Sequence, residues 1–145
     1  QPAFYNLIGM ETLGLRMERA CSNAKALAEF LNTYPDITVN YPGLACSPWH
    51  DVADKVLANG YGAILTIRVG SKERAFSVIN NLSIPKIVSN IGDTKTLIIH
   101  PESTLNAHST EKEKEDAGVF DDLIRISVGI EDIEDLIEDF KAALA

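Results

Sequence analysis

The stretch DDLIRISVGIEDIEDLIEDF, residues 121–140, decides how the chain folds. Leu123 to Val128 alternates with the period of two expected of a strand. Ile130, Ile133, Leu136, Ile137 and Phe140 then recur along one face of a helix. Gly129 joins the two. The strand carries Arg125 in its middle, with Leu123 and Ser127 on the same face and Ile124, Ile126 and Val128 on the other. A guanidinium there needs a partner, because an unpaired buried charge costs several kcal/mol. One of the 21 acidic residues would serve as an ion pair. So would the carboxylate of a bound substrate, which the planar fork grips with two parallel hydrogen bonds. The pattern leaves both open.

Outward from this stretch, the same reading predicts the other elements. YGAILTIRV (residues 61–69) is a strand with Ile64, Thr66 and Arg68 on one face and Leu65, Ile67 and Val69 on the other. Ser71 caps a helix to about Asn81, whose apolar side is Ala75, Phe76, Val78, Ile79 and Leu82. PKIVSNIG (85–92) and KTLIIHP (95–101) are two short strands around Gly92-Asp93. Thr110 and Glu113 have capping-box spacing, and Gly118 closes that short acidic helix. Trp49 to Ala58 reads as a helix ended by Asn59-Gly60.

Toward the N-terminus, Met10, Leu13, Met17, Cys21, Ala24, Leu27, Ala28 and Leu31 keep a 3–4 spacing, which predicts one long helix from Pro2 to about Thr33. Three prolines in residues 32–48 then break helix around a short apolar stretch, Ile37 to Val39. The expected fold is α/β: a two-layer α+β sandwich, its small antiparallel or mixed sheet covered by helices. Residues 1–34 are expected to be a linking helix and residues 35–145 the small domain.

The totals exclude several functions. The chain has 145 residues, 46% hydrophobic, enough for one domain that buries about 68–70% of its unfolded surface. A net charge of −8 argues against nucleic acid and against an anionic membrane surface. No apolar run is long enough to span a bilayer. Cys21 and Cys46, the only cysteines, suit a reducing, cytoplasmic compartment better than a disulfide framework. Cys21 is expected in the core. Cys46 shows no partner by spacing, although His50 is near.

No complete constellation appears. His50, His100 and His108 lack metal-ligand spacing. The glycines of NGYGAIL lead into a strand rather than a helix N-terminus. Lys95 sits at a turn beside Asp93, which would hold it charged rather than ready to form a Schiff base.

Three segments carry a resemblance: DLIRISVGIEDIEDLIEDF (122–140), NIGDTKTLIIHPEST (90–104) and GMETLGLRMERACSNAKALAEFL (9–31). In the same order, over nearly the whole chain, they resemble the C-terminal part of the Cys/Met-metabolism enzymes that use pyridoxal phosphate. Within that group they are most similar to the O-acetylhomoserine sulfhydrylases. The resemblance implies a larger enzyme, homotetrameric, whose absent N-terminal domain holds the cofactor lysine and phosphate loop. The enzyme would exchange the acetoxy group of O-acetylhomoserine for sulfide, with a γ-lyase or cystathionine γ-synthase as nearest variants. By the same resemblance Arg125 binds the substrate α-carboxylate, Asn90 assists it, and no catalytic, cofactor-binding or metal-binding residue lies in this chain. HPESTLNAH (100–108) departs from the family pattern. Leu105 and Asn106 stand where Thr and His are usual, and Thr104 is the candidate to replace the threonine.

Two readings follow. In one, the chain is the small domain of a cofactor-dependent enzyme and, beginning at Gln1, continues from an upstream part. An apolar stripe along Met10, Leu13 and Met17 is then left exposed. In the other, it is a stand-alone non-enzymatic module binding a small carboxylate or a protein partner, its long helix covering its own core.

Overall fold

The structure, a computed structural model, describes residues 1–145. Helices α1 (Pro2–Glu11) and α2 (Leu13–Leu31) precede strand β1 (Thr38–Asn40), helix α3 (His50–Val56) and strand β2 (Ile64–Arg68). Helix α4 (Lys72–Asn81), strands β3 (Lys86–Ile87) and β4 (Leu97–Ile99), helix α5 (Glu111–Asp116), strand β5 (Leu123–Ser127) and helix α6 (Ile133–Leu144) follow. The strands form one sheet in the order β1-β2-β5-β4-β3. Only β3 and β4 are parallel, so the sheet is mixed, one of the two kinds expected.

The alternation in β2 and β5 separates the two faces of the sheet. Leu65, Ile67, Ile124, Ile126 and Val128 are almost completely buried against Leu27 and Leu31 of α2, Ala75, Val78 and Ile79 of α4, and Leu136 and Phe140 of α6. This face is the core. Helix α6 starts where Asp132 accepts from the Glu134 N–H at 3.0 Å, and its acidic first turn and Lys141 in the last turn both suit the helix dipole. The predicted caps at Ser71 and Thr110 form as well, the latter as a complete capping box.

The N-terminal helix differs from the expectation. One helix over Pro2 to Thr33 is interrupted at Thr12 (φ −106°, ψ 5°). The apolar spacing continues through the break, but the backbone does not. Arg16 folds back over the gap, its Nη2 donating to the Gly9 carbonyl at 2.6 Å and its Nε to the Thr12 hydroxyl at 3.3 Å. No atom packs near Gly14, so no close neighbour offsets the helix cost of this glycine. The C-terminal half of α2 belongs to the core, whereas α1 has no buried residue. Cys21, expected in that core, is instead half-buried at its edge, beside Gly60. Met10, Leu13 and Met17 are exposed, as the first of the two readings requires.

Parallel pairing of β3 with β4 forces residues 88–96 to run back along the sheet. A parallel crossover usually takes about a dozen residues or more and often a helix. Here a short strap does it, lying over the face that the helices leave uncovered.

Candidate carboxylate site on the open face of the sheet

Arg125 lies at the centre of that second face. Across the sheet it is level with Thr66 of β2 on one side and Ile99 of β4 on the other. Its guanidinium meets the strap: Nη2 donates to the carbonyls of Ser89 at 2.9 Å and Asn90 at 3.3 Å. Nε is buried and has no partner, while Nη1 makes no hydrogen bond within the chain and is open to solvent. No carboxylate lies within ion-pair distance of Arg125.

Arg68 shows what the ion-pair outcome looks like. It sits on the same face, but its Nε donates to the buried carboxylate of Asp122 at 2.8 Å and its guanidinium lies 3.9 Å from the centroid of the Phe120 ring. Asp122 also accepts from the Gly70 N–H at 3.0 Å. The chain thus neutralises one arginine on this face and leaves the other with carbonyls alone. Carbonyl dipoles orient a cation without cancelling its charge, so Arg125 retains an attraction for anions.

Two of the expected site residues are brought together. Asn90 touches Arg125 through its carbonyl, and its exposed side chain makes no hydrogen bond. The residues of the 100–108 segment start one position beyond Ile99, the cross-strand neighbour of Arg125, and form a run of turns. Thr104 donates its hydroxyl to the His100 carbonyl at 2.7 Å, so in this structure that hydroxyl closes its own turn. Leu105 is exposed, and Asn106 donates to the Ser109 hydroxyl at 3.5 Å. Glu102 fixes this segment by accepting from Lys72 at 2.7 Å and Lys114 at 2.8 Å, and the two ammonium groups hold its carboxyl down at about 2. His100 is buried with both ring nitrogens engaged, by the Ser103 hydroxyl at 2.8 Å and the Asp121 carbonyl at 2.7 Å. Cys46 meets Asn32 rather than His50, whose ring stacks on Tyr61.

Sequence reasoning missed the residues that hold the strap. Ser127, on the face of Arg125, accepts from the Gly92 N–H at 3.4 Å. Thr96 is fully buried. The carboxylate of Glu131 accepts from the Thr96 N–H at 2.5 Å and from its hydroxyl at 2.8 Å. That hydroxyl accepts in turn from the Gly129 N–H at 2.9 Å. A Cβ on Gly129 would collide with the Thr94 carbonyl and the Lys95 backbone, which explains a glycine at that position. The signal was present as the run SVGIE, but nothing in its spacing names Thr96 as the partner.

The family model for Cys/Met metabolism PLP-dependent enzymes matches residues 1–145. The chain belongs to that family. An L-methionine gamma-lyase of Fusobacterium nucleatum subsp. polymorphum is 42% identical over 99% of the chain and 37% of its own length. A homocysteine synthase of Schizosaccharomyces pombe is 46% identical over 97% of the chain and 33% of its own. A solved Campylobacter jejuni protein, described as a candidate O-acetylhomoserine (thiol)-lyase carrying a pyridoxyl-lysine monophosphate, superposes with a TM-score of 0.91 at 38% identity. That match covers 95% of this chain and 33% of the other. The chain therefore spans about a third of the length of these relatives.

The lysines of this Cys/Met-metabolism chain do not fit the Schiff-base end of pyridoxal phosphate. Such a lysine must be desolvated or lie beside another cation. Lys72 and Lys114 instead converge on Glu102, and Glu102 and Glu111 push the Lys114 ammonium further toward its charged form. Lys25 and Lys141 pair with Glu29 and Glu138, and Lys55, Lys86, Lys95 and Lys112 are exposed.

Proposed function

We propose that this chain is the substrate-carboxylate domain of a pyridoxal-phosphate enzyme of sulfur amino-acid metabolism, with Arg125 as the carboxylate grip. One observation carries the reading: Arg125 stands in the middle of a sheet without any carboxylate of its own, although Arg68 on the same face has one. Asn90 is its assisting neighbour, and Thr104, Leu105 and Asn106 border the substrate side. The chain's part in the reaction is positional. A bidentate hold on the α-carboxylate fixes the direction of the neighbouring Cα–H bond, which is how oriented binding lowers a barrier.

The cofactor and its lysine belong to a separate N-terminal domain. Its docking covers α1, whose Phe4, Tyr5, Leu7, Ile8 and Met10 are all exposed here. A helix apolar on every side is one that something else buries. The names of the relatives support O-acetylhomoserine and sulfide as substrates, with γ-elimination of methionine as the variant chemistry. Assembly as a homotetramer and residence in the cytoplasm, where two free thiols are at home, complete the proposal.

Hydrogen bonds to charged groups are worth about 1.5–3 kcal/mol each, so two of them correspond to a Kd between about 0.04 and about 6 mM. Titrating the chain with millimolar O-acetyl-L-homoserine should therefore shift the Arg125 Nε–H resonance saturably. The matching amino alcohol, which lacks the carboxylate, should leave it in place. Equal shifts with both ligands would rule the reading out.

A further inference from the structure

We propose that Glu131 is a positioning residue for the Arg125 site, acting through Thr96 and the strap. This rests on the carboxylate reading above and adds to it the part of the chain that sets the guanidinium in place. The strap has two feet. Its far foot is tied rigidly: Glu131 accepts both donors of Thr96, and the Ile130 N–H donates to the Thr94 carbonyl at 2.9 Å. Its near part, residues 88–92, is exposed throughout, and the side chains that hold it are Arg125 and Ser127. The position of the Ser89 and Asn90 carbonyls, and with it the direction of Nη1, is therefore set from the Glu131 end.

The Glu131 end is itself fixed to the helical layer. Asn23 of α2, buried to 2% exposure, donates to the carbonyls of Gly129 at 3.1 Å and Glu131 at 2.8 Å. A polar side chain in this core without such partners would be costly, so the geometry is held firmly. One continuous chain of hydrogen bonds and backbone thus runs from α2 through Glu131 and the strap to the guanidinium. Glu131 touches neither the guanidinium nor a ligand bound to it.

The test is solvent exchange of the Arg125 Nε–H, assigned by its loss in Arg125→Lys and measured on the whole chain without ligand. Glu131→Gln keeps one acceptor and loses the other, so exchange should rise about tenfold, the order of one lost charge-assisted hydrogen bond. The backbone amides of Ile124 and Ile126 should exchange as before. Thr96→Ser, which keeps both hydroxyl contacts, should exchange like the parent, and Thr96→Val should behave like Glu131→Gln. O-acetyl-L-homoserine should bind about tenfold more weakly to Glu131→Gln. Unchanged Nε–H exchange in Glu131→Gln overturns the proposal. So does an equal rise at Ile124 and Ile126, which would make Glu131 a general support of the fold. If exchange responds as expected while no variant or parent binds the carboxylate, the positioning role stands and the carboxylate reading falls.

Discussion

At the scale of single residues, two glycines behave in opposite ways for one physical reason. Gly129 has backbone atoms of Thr94 and Lys95 where a Cβ would go, and backbone cannot move aside cheaply. Gly14 lies in α2 with nothing within 4 Å of that position. Gly129→Ala should therefore destabilise the chain by about 1–3 kcal/mol, the usual cost of overpacking. Gly14→Ala should stabilise it by at most about 0.5 kcal/mol, because Gly14 lies in the first turn of α2, where glycine costs less than in the middle of a helix. Urea unfolding measures both as a change of midpoint at constant slope. The same contrast separates the two arginines of the open face. Arg68 is finished by Asp122, and Arg125 is left with two carbonyls and one unpaired Nε–H.

At the scale of elements, the sequence was informative wherever one period ran through a whole segment. Strands β2 and β5 and helix α6 appear with the faces their alternation predicted, and so does α4 except at Phe76, which is exposed and lies against the His100 ring instead of joining the core. It was silent where the deciding contact is remote. Thr96 and Glu131 are 35 positions apart, and neither is unusual in its own neighbourhood. Strand β3 spans only Lys86–Ile87, too short to announce its parallel pairing. The break at Thr12 was hidden because the apolar spacing does not register a change of backbone angle.

The turns after β4 give a prediction at this scale. Lys114 and Lys72 hold the Glu102 carboxyl at about 2, against an ordinary 4.5, so the folded state favours its charged form. That stability is complete above pH 4.5 and is lost as the pH falls from there toward 2. Lys114, raised above 10.5 mainly by Glu102, keeps its share until the solution becomes more alkaline than that. The stability profile of Glu102→Gln should consequently lie below that of the parent at neutral pH and converge with it toward pH 2, a comparison that denaturant midpoints at several pH values would make directly.

At the scale of the whole molecule, the chain is a sheet with one finished face and one unfinished one. Helices α2, α4 and α6 close the first over a continuous core. The second presents Arg125, the strap and the 100–108 turns, and helix α1 is apolar without being buried. No helix is long and apolar enough to cross a membrane. The chain spans about a third of the length of its relatives, and on the function proposed above a second domain of the longer enzyme completes these surfaces. The measurement that bears most directly on this is steady-state kinetics of the whole enzyme with Arg125→Lys. Lysine keeps the charge but not the fork. If Arg125 grips the substrate carboxylate, kcat/KM for the amino-acid substrate should fall by about a hundredfold, two charge-assisted bonds becoming one. Pyridoxal phosphate content should be unchanged. A variant with full kcat/KM would contradict the account and leave Arg125 as the residue that merely holds the strap.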